Sequence, residues 1–167
     1  MAEWRMSEAA IRKTTEALRD RLAEALGAPV RIGPPQRSEA GEALASILLL
    51  HVEVNSHVRG EIGLQPADPI ARAADTLALD LHFLITALRR NDDGPPDELD
   101  TLGRIAAELQ RNPTLNVPSM GGQTVRMIAE PVSMEDSSRM WELFPHDGSR
   151  VSMFYRATPV VIEPHER

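Results

Sequence analysis

Apolar residues crowd both sides of the stretch from Asp75 to Leu88. Leu77, Leu79, Leu81, Phe83 and Ile85 alternate there with Ala78, Asp80, His82, Leu84, Thr86 and Leu88. Such density on both faces predicts a strand covered on two sides, although a buried helix satisfies the composition almost as well. Asp92, Asp93, Gly94, Pro95 and Pro96 interrupt the run. The spacing then predicts a helix from about Asp97 to Arg111, with Leu99, Leu102, Ala106 and Leu109 on its inner stripe, acids in its first turn and Asn112-Pro113 at its end.

Around this centre the pattern alternates between helical and extended periods. A first helix is expected from about Met6 to Leu26, with Ile11, Leu18, Leu22 and Ala25 facing inward and Gly27 ending it. Val30 and Ile32 suggest a short strand, and Gly33-Pro34-Pro35 opens a polar loop through Gly41. A second strand runs from about Leu44 to Asn55, and a further one from Thr124 to Val132 alternates Val125, Met127 and Ala129 with Arg126, Ile128 and Glu130. Ser133 reads as the N-cap of a last helix, with Glu135 and Asp136 in its first turn and Met134, Ser138 and Trp141 directed toward the core. Asp147-Gly148 then turns the chain into a final strand from about Arg150 to Ile162, where Val151, Met153 and Tyr155 share a face and Pro159 calls for an edge or a bulge. The expected architecture is one α+β domain over residues 1–167, with a core of about 6–163 and a mixed or antiparallel sheet of four to five strands packed with three helices.

Two of these strands are long. Leu44 to Asn55 and Leu77 to Leu88 would each span roughly 40 Å at about 3.3 Å per residue, against a usual strand of about 5 to 6 residues. They would overhang a small core. Between them Ser56 to Ala74 places Val58, Ile62, Leu64 and Ile70 among Gly60, Gly63, Pro66 and Pro69. A connector this long and this apolar reads as a loop or arm that orders on a neighbouring subunit.

Composition narrows the chemistry. The chain has no cysteine, which removes disulfides, thiolate nucleophiles and cysteine metal sites and fits a reducing cytoplasm. A net charge of −7, with Lys13 the only lysine, argues against general nucleic-acid binding. No segment approaches the roughly 20 apolar residues that cross a bilayer, and Met1 to Arg12 lacks the apolar region of a secretory signal. Trp4, Trp141, Phe83, Phe144, Phe154 and Tyr155 are read as core or contact residues.

Phosphate-loop, dinucleotide, zinc-protease and nucleophile-elbow motifs are all missing from the sequence. Asp80 and His82 share a strand face, as do His51, Glu53 and Asn55. A metal-dependent hydrolase using Asp80 and His82 can be drawn from that spacing. The plainer account is polar punctuation on partly exposed strands, with cross-strand His–Asp contact. A monomeric acidic adaptor that binds another protein is the third class.

Several short stretches, in order and at their spacing, resemble the tail-terminator, or cap, family of contractile injection systems, which includes the antifeeding prophage and the Photorhabdus virulence cassette. They are Asn55, Val58 and Arg59 in NSHVRG, Leu79-Asp80-Leu81-His82-Phe83-Leu84 with Thr86-Ala87, and Leu102-Gly103 with Leu109, Asn112-Pro113 and Leu115. Glu130-Pro131, Ser133, Arg139-Met140-Trp141, Tyr155 and Val160 to Glu163 complete the set. The chain departs from the family pattern at Phe83, where a tyrosine is usual, at Gly60, where an asparagine is, and at Asp75-Thr76, where a proline-rich lead-in is. Longer relatives append a further C-terminal domain.

The resemblance implies a tail-terminator-like fold without catalytic, metal or cofactor residues. It implies a sixfold ring of the chain itself on the end of the inner tube distal to the baseplate, with tube and sheath proteins as partners and no nucleic acid or membrane. Such a protein would be cytoplasmic until built into the particle. Asn55, Val58, Arg59, Ile62 and Leu64 are the expected assembly contacts, Arg59 being able to form a bidentate pair with a partner carboxylate.

Overall fold

The computed structural model describes residues 9–35, 43–57, 77–88, 95–118, 123–145 and 150–162. In chain order the elements are α1 (Ala10–Leu26), β1 (Val30–Ile32), β2 (Ala45–Val54), β3 (Leu77–Ala87), α2 (Pro95–Arg111), β4 (Thr114–Val117), β5 (Gln123–Glu130), α3 (Met134–Trp141) and β6 (Ser152–Ile162). One six-stranded sheet runs β1-β2-β3-β6-β5-β4. Its single parallel pair is β1 with β2; every other neighbour is antiparallel.

The expected α+β domain is present, with six strands in place of four to five. The additional strand is β4, four residues directly after the helix stop at Asn112-Pro113. So short a segment shows little period of its own, and it becomes a strand by pairing Leu115 with Val125 and Val117 with Gln123.

α1 and α2 pack on one face of the sheet. Leu18 and Leu22 of α1 and Ile105 and Leu109 of α2 join Leu79, Leu81, Phe83 and Ile85 of β3, Val125 and Met127 of β5, and Tyr155, Ala157 and Val160 of β6 in one core. α1 ends at Gly27, whose φ of 64° is left-handed and whose N–H reaches the Ala23 and Glu24 carbonyls. A residue with a Cβ pays a steric cost in that conformation, so glycine suits the site. Arg104 of α2 adds two hydrogen bonds to the carbonyls of Ala25 and Leu26, a charged donor at the negative end of α1.

The expected stripe of α2 is corrected at one position. Leu102 and Leu109 are buried, but Leu99 is 54% exposed and Ile105 fills the core. The contacts of α2 with both α1 and β3 select the Ile105 side. Pro95 and Pro96, expected to precede the helix, form its first turn, where a missing N–H leaves no intrahelical bond unmade. In α3 Trp141 is buried as expected and edge-on to Phe144, whereas Met134 and Ser138 are exposed. The helix is only eight residues long and fixes its buried side at its C-terminal end. Ser133 caps it by accepting the Asp136 N–H at 3.0 Å.

β3 lies between β2 and β6, and both of its faces are largely covered. On the face away from α1 and α2, Leu84 stands in register between Leu48 and Phe154 and Thr86 between Ser46 and Ser152, its hydroxyl 2.9 Å from that of Ser152. Two bulges decide which residues share this face. In β2 the register passes from Leu49 opposite Phe83 to His51 opposite His82, so one extra residue is inserted. Strict alternation would have aimed His51 and Glu53 into the core behind Ile47 and Leu49; the bulge turns them outward and brings Val52 and Val54 to the helix side. In β6 the register passes from Ala157 opposite Leu81 to Val160 opposite Leu79. Thr158 and Pro159, joined by a cis peptide, stand together across from Asp80. Pro159 therefore occupies the bulge that its missing N–H called for, on a strand interior to the sheet.

The long strands do run past the core. β1 accompanies β2 only over Ala45–Ile47, and beyond the helices Val52, Val54 and Leu77 are exposed.

Candidate functional site

The side chains singled out for chemistry meet on the sheet face opposite α1 and α2, at its overhanging end. Asp80, only 6% exposed, accepts hydrogen bonds from Asn55 Nδ2 at 2.9 Å and from the Thr158 hydroxyl at 2.5 Å. Asn55 Nδ2 also donates to Thr158 Oγ1 at 3.1 Å, closing a triangle across β3, the end of β2 and the bulge of β6. The other Asp80 oxygen lies 3.7 Å from Arg156. Taking a carboxylate out of water is unfavourable unless donors and an opposite charge replace the lost hydration, and Asp80 has all of these.

His82 has a separate set of partners. Its Nδ1 is 2.7 Å from Glu130 of β5, and its Nε2 is 3.3 Å from Glu53 of β2. The Glu53 contact is within ion-pair distance but poorly aligned, and the buried Nε2 makes no hydrogen bond. The His51 ring lies tilted 5.6 Å from that of His82. Arg156 reaches Glu130 as well as Asp80, both at 3.7 Å, so one guanidinium links the two halves. The result is an electrostatic clasp over β2, β3, β5 and β6.

Asp80 and His82 are thus neighbours on one face without being partners of each other. Among the described residues no group of three or more His, Asp or Glu side chains is disposed to hold a metal ion. Asp80 Oδ1 is committed to Asn55 and Thr158 and Oδ2 faces Arg156 at 3.7 Å, an arrangement suited to holding strands together.

Of the expected assembly residues, Asn55 is described and is part-buried within the clasp, with its Oδ1 accepting the His57 N–H at 3.0 Å. Val58, Arg59, Ile62 and Leu64 lie outside the described residues, as do Trp4, most of the connector, Gly121-Gly122 and the turn at Asp147-Gly148. Sequence reasoning did not find Glu130, Arg156 or Thr158 as members of the cluster. Each is an ordinary alternate position on its strand, and only strand register reveals its partner.

An open groove of about 650 Å³ lies elsewhere, between the C-terminal halves of α1 and α2 and the start of β4. Arg21, Glu24, Glu108 and Arg111 line it, and no clasp residue does. Arg21 spans its floor, donating to the carbonyls of Asn112 and Thr114 at 3.3 Å each, with Glu108 3.8 Å away. Among the described residues no helix is long and apolar enough to cross a membrane.

A six-stranded mixed sheet with α1 and α2 on one face, a clasp on the other and long strands reaching past the core makes this an α+β domain. The chain belongs to the Pvc16 N-terminal domain family, whose model matches residues 13–167. Two solved structures share its fold. The PVC sheath/tube terminator of an extracellular contractile injection system, in its extended state, superposes with a TM-score of 0.62 at 16% identity, covering 93% of this chain and 57% of that one. The tube-terminating cap of the anti-feeding prophage gives 0.61 at 18% identity, covering 93% of this chain and 54% of that one. The chain therefore spans a little over half the length of either, and at these identities the likeness is one of fold. No curated protein matches it in sequence.

Proposed function

We propose that this protein is a non-enzymatic cap that ends the inner tube of a contractile injection system at its distal tip. Copies of the chain form a sixfold ring on the last tube ring, stop further tube addition and meet the last ring of sheath. The chain is made in the cytoplasm and is retained as part of the assembled particle. The observation that carries this reading is family membership over residues 13–167 joined to a fold shared, over 93% of the chain, with two tube-end proteins.

The physical features agree. A closed ring with head-to-tail contacts needs two different complementary surfaces on each subunit. The overhanging ends of β2 and β3 supply exposed apolar residues beyond the core, Val52, Val54 and Leu77. The chain beyond Asn55, with Val58, Arg59, Ile62 and Leu64, carries the subunit contact. A clasp in which Asp80 is held by Asn55 and Thr158, and Glu130 by His82, ties the strands together at that end of the sheet.

Co-expression with the cognate tube and sheath proteins, followed by imaging of particle ends, tests the reading. Deleting the protein should give tubes of uncontrolled length or sheaths that are lost from the tube. Particles of unchanged length and sheath content in its absence would reject the capping role.

A further inference from the structure

We propose that Asn55 serves assembly as a positioning residue, clamping the end of β2 to Asp80 and Thr158 so that the chain leaves the sheet from a fixed point and in a fixed direction. The proposal rests on the capping reading and deepens it. It gives Asn55 a task different from touching the neighbouring subunit.

Three observations carry it. First, the hydrogen-bonding groups of Asn55 are engaged within its own chain. Nδ2 donates to Asp80 Oδ1 and Thr158 Oγ1, Oδ1 accepts the His57 N–H, and the main-chain N–H donates to the Ala78 carbonyl at 2.9 Å. Ser56 and His57 are helical, so the bond to His57 caps the helical start of the segment leaving the strand, and one side chain both anchors β2 and sets its exit.

Second, the anchor is needed where it stands. β1 covers the edge of β2 only over Ala45–Ile47, so among the described residues the outer part of β2 is paired on the β3 side alone. A strand end held from one side opens readily. The side-chain triangle adds a tie that reaches past β3 to β6, two strands away.

Third, the acceptor site is built. Asp80 is nearly buried, and the β6 bulge sets Thr158 and Pro159 together across from it while returning Val160 to the core. Bulges commonly serve to aim a side chain, and here the aimed group is the Thr158 hydroxyl. It donates to Asp80 and accepts from Asn55, using both of its hydrogen-bonding capacities.

The experiment combines end-labelling of co-expressed particles with hydrogen exchange and melting of the isolated full chain. Asn55→Ala should raise deuterium uptake in the peptide covering Val54 to His57 and abolish labelled subunit at particle ends at temperatures where the chain stays folded. Thr158→Val, which changes nothing on the exit segment, should raise the same uptake and weaken end labelling. The double variant Asn55→Asp with Asp80→Asn reverses donor and acceptor and should restore both readouts.

A direct-contact role predicts the opposite for the last two variants. Thr158→Val would label ends normally, and the exchanged pair would fail, because the neighbour would then meet a carboxylate in place of an amide. Either result in folded protein overturns the proposal. So does normal end labelling by Asn55→Ala, which would leave the triangle with a stabilising task only. Failure of the capping reading looks different, since the unaltered subunit would itself be absent from particle ends.

Discussion

Replacing Asp80 tests the clasp as a source of stability. Asp80→Ala removes the acceptor for Asn55 Nδ2 and for the Thr158 hydroxyl, and takes one of two carboxylates away from Arg156. Hydrogen bonds to a charged group contribute about 1.5–3 kcal/mol each, but Asn55 and Thr158 can still bond each other, and relief of the buried charge offsets part of the loss. The Arg156 ion pair adds less than about 1 kcal/mol, since that side chain is 36% exposed. The expected net destabilisation is about 2–4 kcal/mol. For a chain of 167 residues this lowers Tm by roughly 5–15 °C, at about 2–4 °C per kcal/mol. Asp80→Asn keeps one carbonyl oxygen as acceptor and should cost about half as much. Urea denaturation of both variants, with m unchanged, measures the differences. The reasoning fails if Asp80→Ala lies within about 0.5 kcal/mol of the parent, the range of an inconsequential surface change. It also fails if Asp80→Asn is as damaging as Asp80→Ala, because charge opposite Arg156 and not hydrogen bonding would then be what matters.

Three further outcomes are expected. Ile105→Ala should destabilise the chain by about 2–4 kcal/mol and Leu99→Ala hardly at all; equal midpoints in denaturant would misplace the inner face of α2. Gly27→Ala forces a Cβ into the left-handed region at the end of α1 and should cost about 1–2 kcal/mol in spite of the open space around it, which thermal melts will register. Burial raises the pKa of Tyr155 above its ordinary value, so the fold favours the neutral phenol. That contribution is complete below about pH 10 and is lost as pH climbs through the higher folded value. Because Tyr155 is the only tyrosine, phenolate absorbance against pH reports it alone, and Tyr155→Phe should flatten the alkaline decline in Tm.

The candidate site was legible only in pieces. Asp80, His82, Glu53 and Asn55 stand out as polar residues within apolar strands, and period-2 alternation puts Asp80 with His82 and Glu53 with Asn55. Whether those pairs bind a metal, a substrate or one another is not written at spacing two. The answer lies with Thr158, Arg156 and Glu130, which are 78, 76 and 48 residues from Asp80 or His82 in the chain. Arg156 looks like any solvated strand arginine until its register opposite His82 is known.

What the sequence determined by itself is local. Gly27 ends α1 because the left-handed cap favours a residue without a Cβ, Ser133 starts α3 because its hydroxyl reaches the Asp136 N–H three residues on, and the two-sided apolar run makes β3 interior. Each signal lies within a few residues of its effect. Tertiary structure alone decided that Thr114–Val117 is a strand, that Ile105 and not Leu99 meets the core, and that two bulges gather Glu53, Asn55, Asp80, His82 and Thr158 on one face. A one-residue slip in either strand would turn those polar groups toward the helices, and only the neighbouring strands, distant in sequence, hold the register that prevents it.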